Sequence, residues 1–111
     1  MDNEPVLMLV GVDCAKGREQ EFNDWYNSTF PPILKSVNGV VRIDRYARVE
    51  SDESYPAFLS IVHFESEAAM AGMAENEVVR ELGKAYFEAG ARWTTALRWS
   101  IRYKRIYSSE A

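Results

Sequence analysis

Residues 21–41 read EFNDWYNSTFPPILKSVNGVV, and this stretch decides the fold. Phe22, Trp25, Tyr26 and Thr29 recur at the i, i+3, i+4, i+7 spacing of one helical face. Pro31 and Pro32 follow. Each lacks an N–H and pushes the residue before it out of the helical region, so a helix over 18–29 is expected to stop there. Ile33, Leu34 and Val37 carry the apolar surface onward through a short second turn over 32–37, with proline at its start. Asn38-Gly39 then marks a turn into a strand. Few small folds need an aromatic helix, a proline break and a strand in that order.

The flanking pattern completes the domain. Residues 1–4 are polar and read as a loose lead-in. Residues 6–12 (VLMLVGV) are apolar throughout, as in a central strand buried on both faces. Acidic Glu19 and Glu21 suit the positive end of the first helix. A strand over 40–50 places Val41, Ile43 and Arg45 on one face and Arg42, Asp44 and Tyr46 on the other. A polar turn joins it to an antiparallel strand over 57–64, where Phe58, Ser60, Val62 and Phe64 oppose Leu59, Ile61 and His63. Ser66 is placed to cap a helix over 67–74. Asn76 is placed to cap a second, over 77–89, with a stripe of Val79, Leu82, Tyr86 and Ala89 and Gly90 at its end. The last strand, 97–107, alternates Trp99, Ile101 and Tyr103 with Arg98, Ser100 and Arg102.

The order strand, helix, strand, strand, helix, strand is the split βαβ pattern of ferredoxin-like α+β folds, a four-stranded antiparallel sheet with its helices on one face. The first and third strands are apolar at nearly every position, so the uncovered face also needs burial. A homodimer in which two such faces pack together follows from that argument.

At 111 residues the chain is expected to be one domain, 1–111. A net charge of −4 argues against a nucleic-acid surface. Arg98, Arg102, Lys104 and Arg105 near the end read as a solvated strand face. Cys14 is the only cysteine, which excludes an internal disulfide and a paired-thiol metal site. Residues 6–12 are too short to span a bilayer and lack the flanks of a signal peptide, so no membrane partner and a cytoplasmic location are expected. No Gly-rich phosphate loop, HExxH, CxxC or nucleophile elbow is present, and neither metal nor cofactor is expected.

With that order in hand, EFNDWYNSTFPPILKSVNGVVRIDRY resembles the signature EFNxWYxxxHxPxLLxxPGFxxxxRY of EthD-like proteins in the dimeric α/β-barrel superfamily. The match runs through Glu21, Phe22, Asn23, Trp25, Tyr26, Pro32, Leu34, Gly39, Arg45 and Tyr46. It extends more weakly over nearly the whole chain. The resemblance implies a ferredoxin-like protomer whose sheets pair into a barrel. It fixes no activity, because relatives include cofactor-free monooxygenases, cyclases, isomerases, dehydratases and haem-degrading proteins. The family pattern has His where this chain has Phe30, and His63 stands where relatives more often carry Glu.

The candidate chemistry rests on few groups. His63, the only histidine, reads as a general base or acid. Arg45 on an apolar face needs an anionic partner, from this chain or from a substrate. Tyr26 needs a hydrogen-bond partner under its helix, and Arg45 or a tyrosine would stabilise a developing oxyanion. Trp25, Phe30, Tyr46, Tyr86, Trp93 and Trp99 would form an aromatic binding wall, with Met70 and Met73 as adaptable lining. The expectation is a cofactor-independent enzyme acting on a hydrophobic aromatic or polyketide-like molecule by cyclisation, isomerisation or elimination. The alternatives are a non-catalytic ligand-binding or accessory dimer and a cofactor-free monooxygenase.

Overall fold

The computed structural model describes residues 4–93 and 95–110. Its elements run β1 (Val6–Asp13), α1 (Glu19–Leu34), β2 (Val40–Ala47), β3 (Phe58–Phe64), α2 (Glu67–Met73), α3 (Glu77–Trp93) and β4 (Ala96–Lys104). The sheet order is β2-β3-β1-β4 and every neighbouring pair is antiparallel. This is the expected ferredoxin-like arrangement. Residues 1–3, read as part of a loose lead-in, and the side chain of Ala89 lie outside the described residues.

The first helix departs from expectation, because α1 runs unbroken through Pro31 and Pro32. Its buried residues, Phe22, Tyr26, Phe30 and Leu34, fall at a strict four-residue interval across the prolines. Stopping at Thr29 would expose Phe30 and Leu34, and burial of each is worth about 1.5–3 kcal/mol. That roughly offsets the ~3 kcal/mol cost of an interior proline. The carbonyls deprived of a donor belong to Asn27 and Ser28, both on exposed residues, where water can serve them. The Lys35 N–H bonds the Pro31 carbonyl at 2.9 Å and closes the last turn. Gly39 follows with φ 91°, and a Cβ there would collide with Ala69.

The caps of the later helices are those the sequence predicts. Ser66 Oγ accepts from the Ala69 N–H at 3.2 Å. Asn76 Oδ1 accepts from the Val78 and Val79 N–H groups at 2.9 and 3.2 Å. Gly90 does not end α3, which continues to Trp93. Trp93 is 3% exposed and packs edge-on against Phe22. Burying that indole outweighs the ~1 kcal/mol cost of an interior glycine. The outer strands are shorter than expected, β2 ending at Ala47 and β4 at Lys104.

Two bulges set which residues face the helices. Val41 is the extra residue where Val40 pairs with Phe64 and Arg42 with His63. On β4, Gly11 pairs with Trp99 but Val12 with Leu97. Arg98 is thereby displaced from the helix side, and its guanidinium bonds Asp13 Oδ2 and the Glu53 and Ser54 carbonyls at the sheet end. Leu97 takes the inward place. The core joins Val12 and Phe58 of the sheet to Phe22, Tyr26 and Phe30 of α1 and Leu82 of α3.

Candidate functional site

Between the helices and the sheet lies a cavity of about 240 Å³. Met8, Val10 and Val62 form its floor, Tyr26, Phe30 and Leu34 one wall, and residues of α3 the other. Val79, Leu82, Gly83, Tyr86 and Phe87 recur at helical spacing along that second wall. Phe87 and Leu97, exposed by 80% and 57%, mark its mouth at the β4 edge. Among the described residues, two polar side chains are in the lining, those of Tyr26 and Tyr86.

These phenols differ in their satisfaction. Tyr86 Oη is buried and makes no well-formed hydrogen bond among the described residues, although the Thr95 side chain lies near enough to act on it. Burial raises its pKa above the ordinary phenol value, while Thr95 and Arg45 oppose the rise. It is therefore a neutral donor at ordinary pH. Tyr26 Oη accepts from Ser60 Oγ at 3.3 Å, and Ser60 Oγ accepts from Arg45 Nε at 3.2 Å. Because its oxygen already accepts, the Tyr26 proton is left to donate.

Tyr26 is also a partition. Phe30 stacks on its ring at 4.4 Å and 9°, and the Arg45 guanidinium carbon lies 4.1 Å from the ring centroid. Two groups this close cannot share one face of a ring, so the phenol stands between them. Behind it Arg45 Nη1 donates to Asn23 Oδ1 at 2.8 Å and Asn27 Oδ1 at 2.9 Å. The anionic partner expected for Arg45 within the chain is not found: among the described residues its partners are two amides and a hydroxyl.

His63 lies across the sheet. Its Nε2 is 3.0 Å from Asp44 Oδ2, which also accepts from Arg42 Nε at 3.0 Å. The Arg42 hydrogen bond is the main reason that the Asp44 carboxyl is held below the ordinary carboxylate value, and His63 adds to it. The groove beside His63, about 320 Å³, is lined by Leu7, Arg42, Tyr103 and Lys104 and shares no residue with the interlayer cavity.

Of the residues singled out in the sequence, Tyr26, Phe30 and Tyr86 come together around the cavity. Arg45 reaches it only through Ser60 and Tyr26. Trp25 and Trp93 pack against each other at 5.3 Å with their rings tilted by 41°, within the aromatic cluster, and are not in the cavity lining. Trp93 Nε1 donates to Glu21 Oε2 at 3.3 Å. Tyr46 and Trp99 meet in a shallow depression on the open face. Met73 is in the lining and Met70 is not. Sequence reasoning missed Ser60, whose one signal was a lone hydroxyl at an inward strand position. It also missed Gly83, which lacks the side chain that would fill the space. Among the described residues no group of three His, Cys, Asp or Glu could hold a metal, and no helix is long and apolar enough to cross a membrane.

No protein-family model matches the sequence, and no curated protein matches it. Solved structures do. HapK from Hahella chejuensis is 14% identical with a TM-score of 0.72, over 96% of this chain and 97% of that one. SnoaB from Streptomyces nogalater, a cofactor-independent oxygenase, is 11% identical with a TM-score of 0.72, over 97% and 99%. An EthD family protein from Bacillus halodurans is 13% identical with a TM-score of 0.67, over 93% and 99%. At these identities the likeness is one of fold. The chain shares with these structures a ferredoxin-like fold.

Proposed function

We propose that the chain is a homodimeric, cofactor-independent enzyme whose substrate is an oxygen-bearing molecule of one or two rings held in the interlayer cavity. The observation that carries this reading is the buried Tyr86 hydroxyl, without a well-formed hydrogen bond among the described residues, in an otherwise apolar space. A buried donor without an acceptor costs about 1–3 kcal/mol, and a ligand oxygen would recover that. Size limits the ligand: an engineered apolar cavity of about 150 Å³ holds benzene, so 240 Å³ suits two fused rings better than an extended polyketide. The likeness to SnoaB, a cofactor-independent oxygenase, supports a small-molecule role without choosing the chemistry.

Two neutral phenols facing an apolar space stabilise negative charge as it develops on a carbonyl oxygen. They favour proton shifts through an enol, and hence isomerisation, cyclisation or elimination. Tyr86 would hold the oxygen and Tyr26, its oxygen already engaged by Ser60, would act as second donor. With His63 across the sheet, the tyrosines act in this reading only as the acid, donating to the carbonyl oxygen, and the carbon-bound proton passes to water at the cavity mouth. A second reading has its own support: no lining residue is a base at neutral pH, and Phe30 occupies the place where the resembled family has His. On that ground the protein would bind such molecules without converting them.

Two probes test both readings. 1-Naphthol is expected to bind wild type about tenfold tighter than naphthalene, ~1.4 kcal/mol, and Tyr86→Phe to erase the difference. Equal binding of the two by wild type would sink the site. For catalysis, the protein should accelerate deuterium exchange at the carbon beside the carbonyl of 2-tetralone, and Tyr86→Phe should not. Tight 1-naphthol binding without acceleration leaves the binding reading standing alone.

A further inference from the structure

We propose that the pocket on the far side of Tyr26, formed by Arg45, Asn23 and Asn27, binds a carboxylate. This inference stands apart from the function proposed for the interlayer cavity. Arg45 is half-buried, and a guanidinium partly withdrawn from water gains from a counter-charge. Arg45 has none among the described residues: no salt bridge includes it, and Nη2 is buried without a hydrogen-bond partner. Burial accordingly holds its pKa below the ordinary arginine value, and no carboxylate acts against that shift.

The neighbours are arranged to keep the cation rather than to neutralise it. The Tyr26 ring at 4.1 Å contributes a cation–π contact. Asn23 and Asn27, one helical turn apart on α1, both turn their amide oxygens toward Nη1. Their NH2 groups are thereby free to serve as donors. A pocket of about 190 Å³ opens at this point, lined by both asparagines, Arg45, Tyr46, Ala47 and Phe58. Its lining carries side-chain donors and two aromatic rings, with no carboxylate among the described residues. A small carboxylate would meet the two amides in a space already carrying a positive charge.

The carboxylate has two sources, a free small acid or an acidic arm on the molecule in the neighbouring cavity. Acetate is the first probe, titrated into wild type against chloride at constant ionic strength, with the Asn23 and Asn27 side-chain amide resonances as reporters. These resonances are expected to shift saturably in the millimolar range. Arg45→Met should weaken the binding at least tenfold, and Arg45→Lys, which keeps charge without the planar fork, should weaken it less. If acetate and 1-naphthol bind independently of each other, the acid is a separate ligand. If 1-naphthylacetate binds more than tenfold tighter than either, and loses that advantage in Arg45→Met, the carboxylate belongs to the cavity's own ligand. A linear, unsaturated response in wild type overturns the site whether or not the variants fold, as does a Met variant that titrates like wild type.

Discussion

The two sides of β3 hold opposite kinds of chemistry. Toward the helices it presents Ser60 and Val62, which sit under Tyr26 and on the cavity floor. Toward the open side it presents Ile61 and His63, the latter beside Asp44 and Arg42. The titratable cluster lines a groove on the open face, whereas the apolar interlayer cavity has two phenol side chains among its described lining residues and one cation held behind a ring. A reactive-looking residue type is thus a weak guide to a site. Which side of a strand is covered decides what a small molecule can touch.

The largest expected effect is on the open side. Leu7, Leu9, Leu59, Ile61, Trp99 and Ile101 share that face, and a second copy is the proposed cover. Ile101→Asp would place a charge at a position 44% exposed in the single chain and buried in the dimer. Sedimentation should show the dimer weakened more than a hundredfold, with 1-naphthol still bound by the monomer. Wild type sedimenting as a monomer would refute the packed face.

A smaller effect separates the phenol from the imidazole by pH. The pKa of Tyr86 is raised by burial, so the folded state keeps its proton where the unfolded chain gives it up. That contribution is complete below the ordinary phenol value of about 10 and is lost as pH rises beyond it through the folded value. Wild type should lose stability more steeply than Tyr86→Phe above pH ~10, as read by denaturant midpoints. Parallel curves would mean that the phenol is solvated. The smallest effect concerns His63: its replacement by Ala should change 1-naphthol affinity less than twofold, since the groove at His63 and the cavity share no lining residue. A larger loss would show the ligand on the open face.

Much of the fold was legible because it follows from period and punctuation. The alternation in 57–64 already set Ser60 and Val62 against Ile61 and His63, and Ser66, Asn76 and Gly39 act as their residue types predict. The proline stop failed because a local rule met a tertiary one: Phe30 and Leu34 are buried only if α1 continues. The inward turn of Leu97 was hidden for a similar reason, since a one-residue bulge leaves no mark in the alternation itself. At the site, the aromatic types pointed to the right helix faces but not to which rings line space and which fill it. Tyr86 and Trp93 lie seven residues apart on α3, yet only Tyr86 lines the cavity. The link from Arg45 through Ser60 to Tyr26 joins three elements and could not be read from spacing along any one of them.

The claim that a small aromatic molecule lies between the layers is tested most directly at Gly83. This α3 residue lines the cavity, and a Cβ added there meets nothing within 4 Å. Leu in a helix interior is also favoured over Gly by roughly 0.5–1 kcal/mol, so Gly83→Leu should fold at least as stably as wild type while filling the space. Isothermal titration of this variant with 1-naphthol is expected to show binding reduced at least tenfold. Undiminished affinity in a folded Gly83→Leu protein would place the ligand elsewhere and contradict the assignment of the cavity.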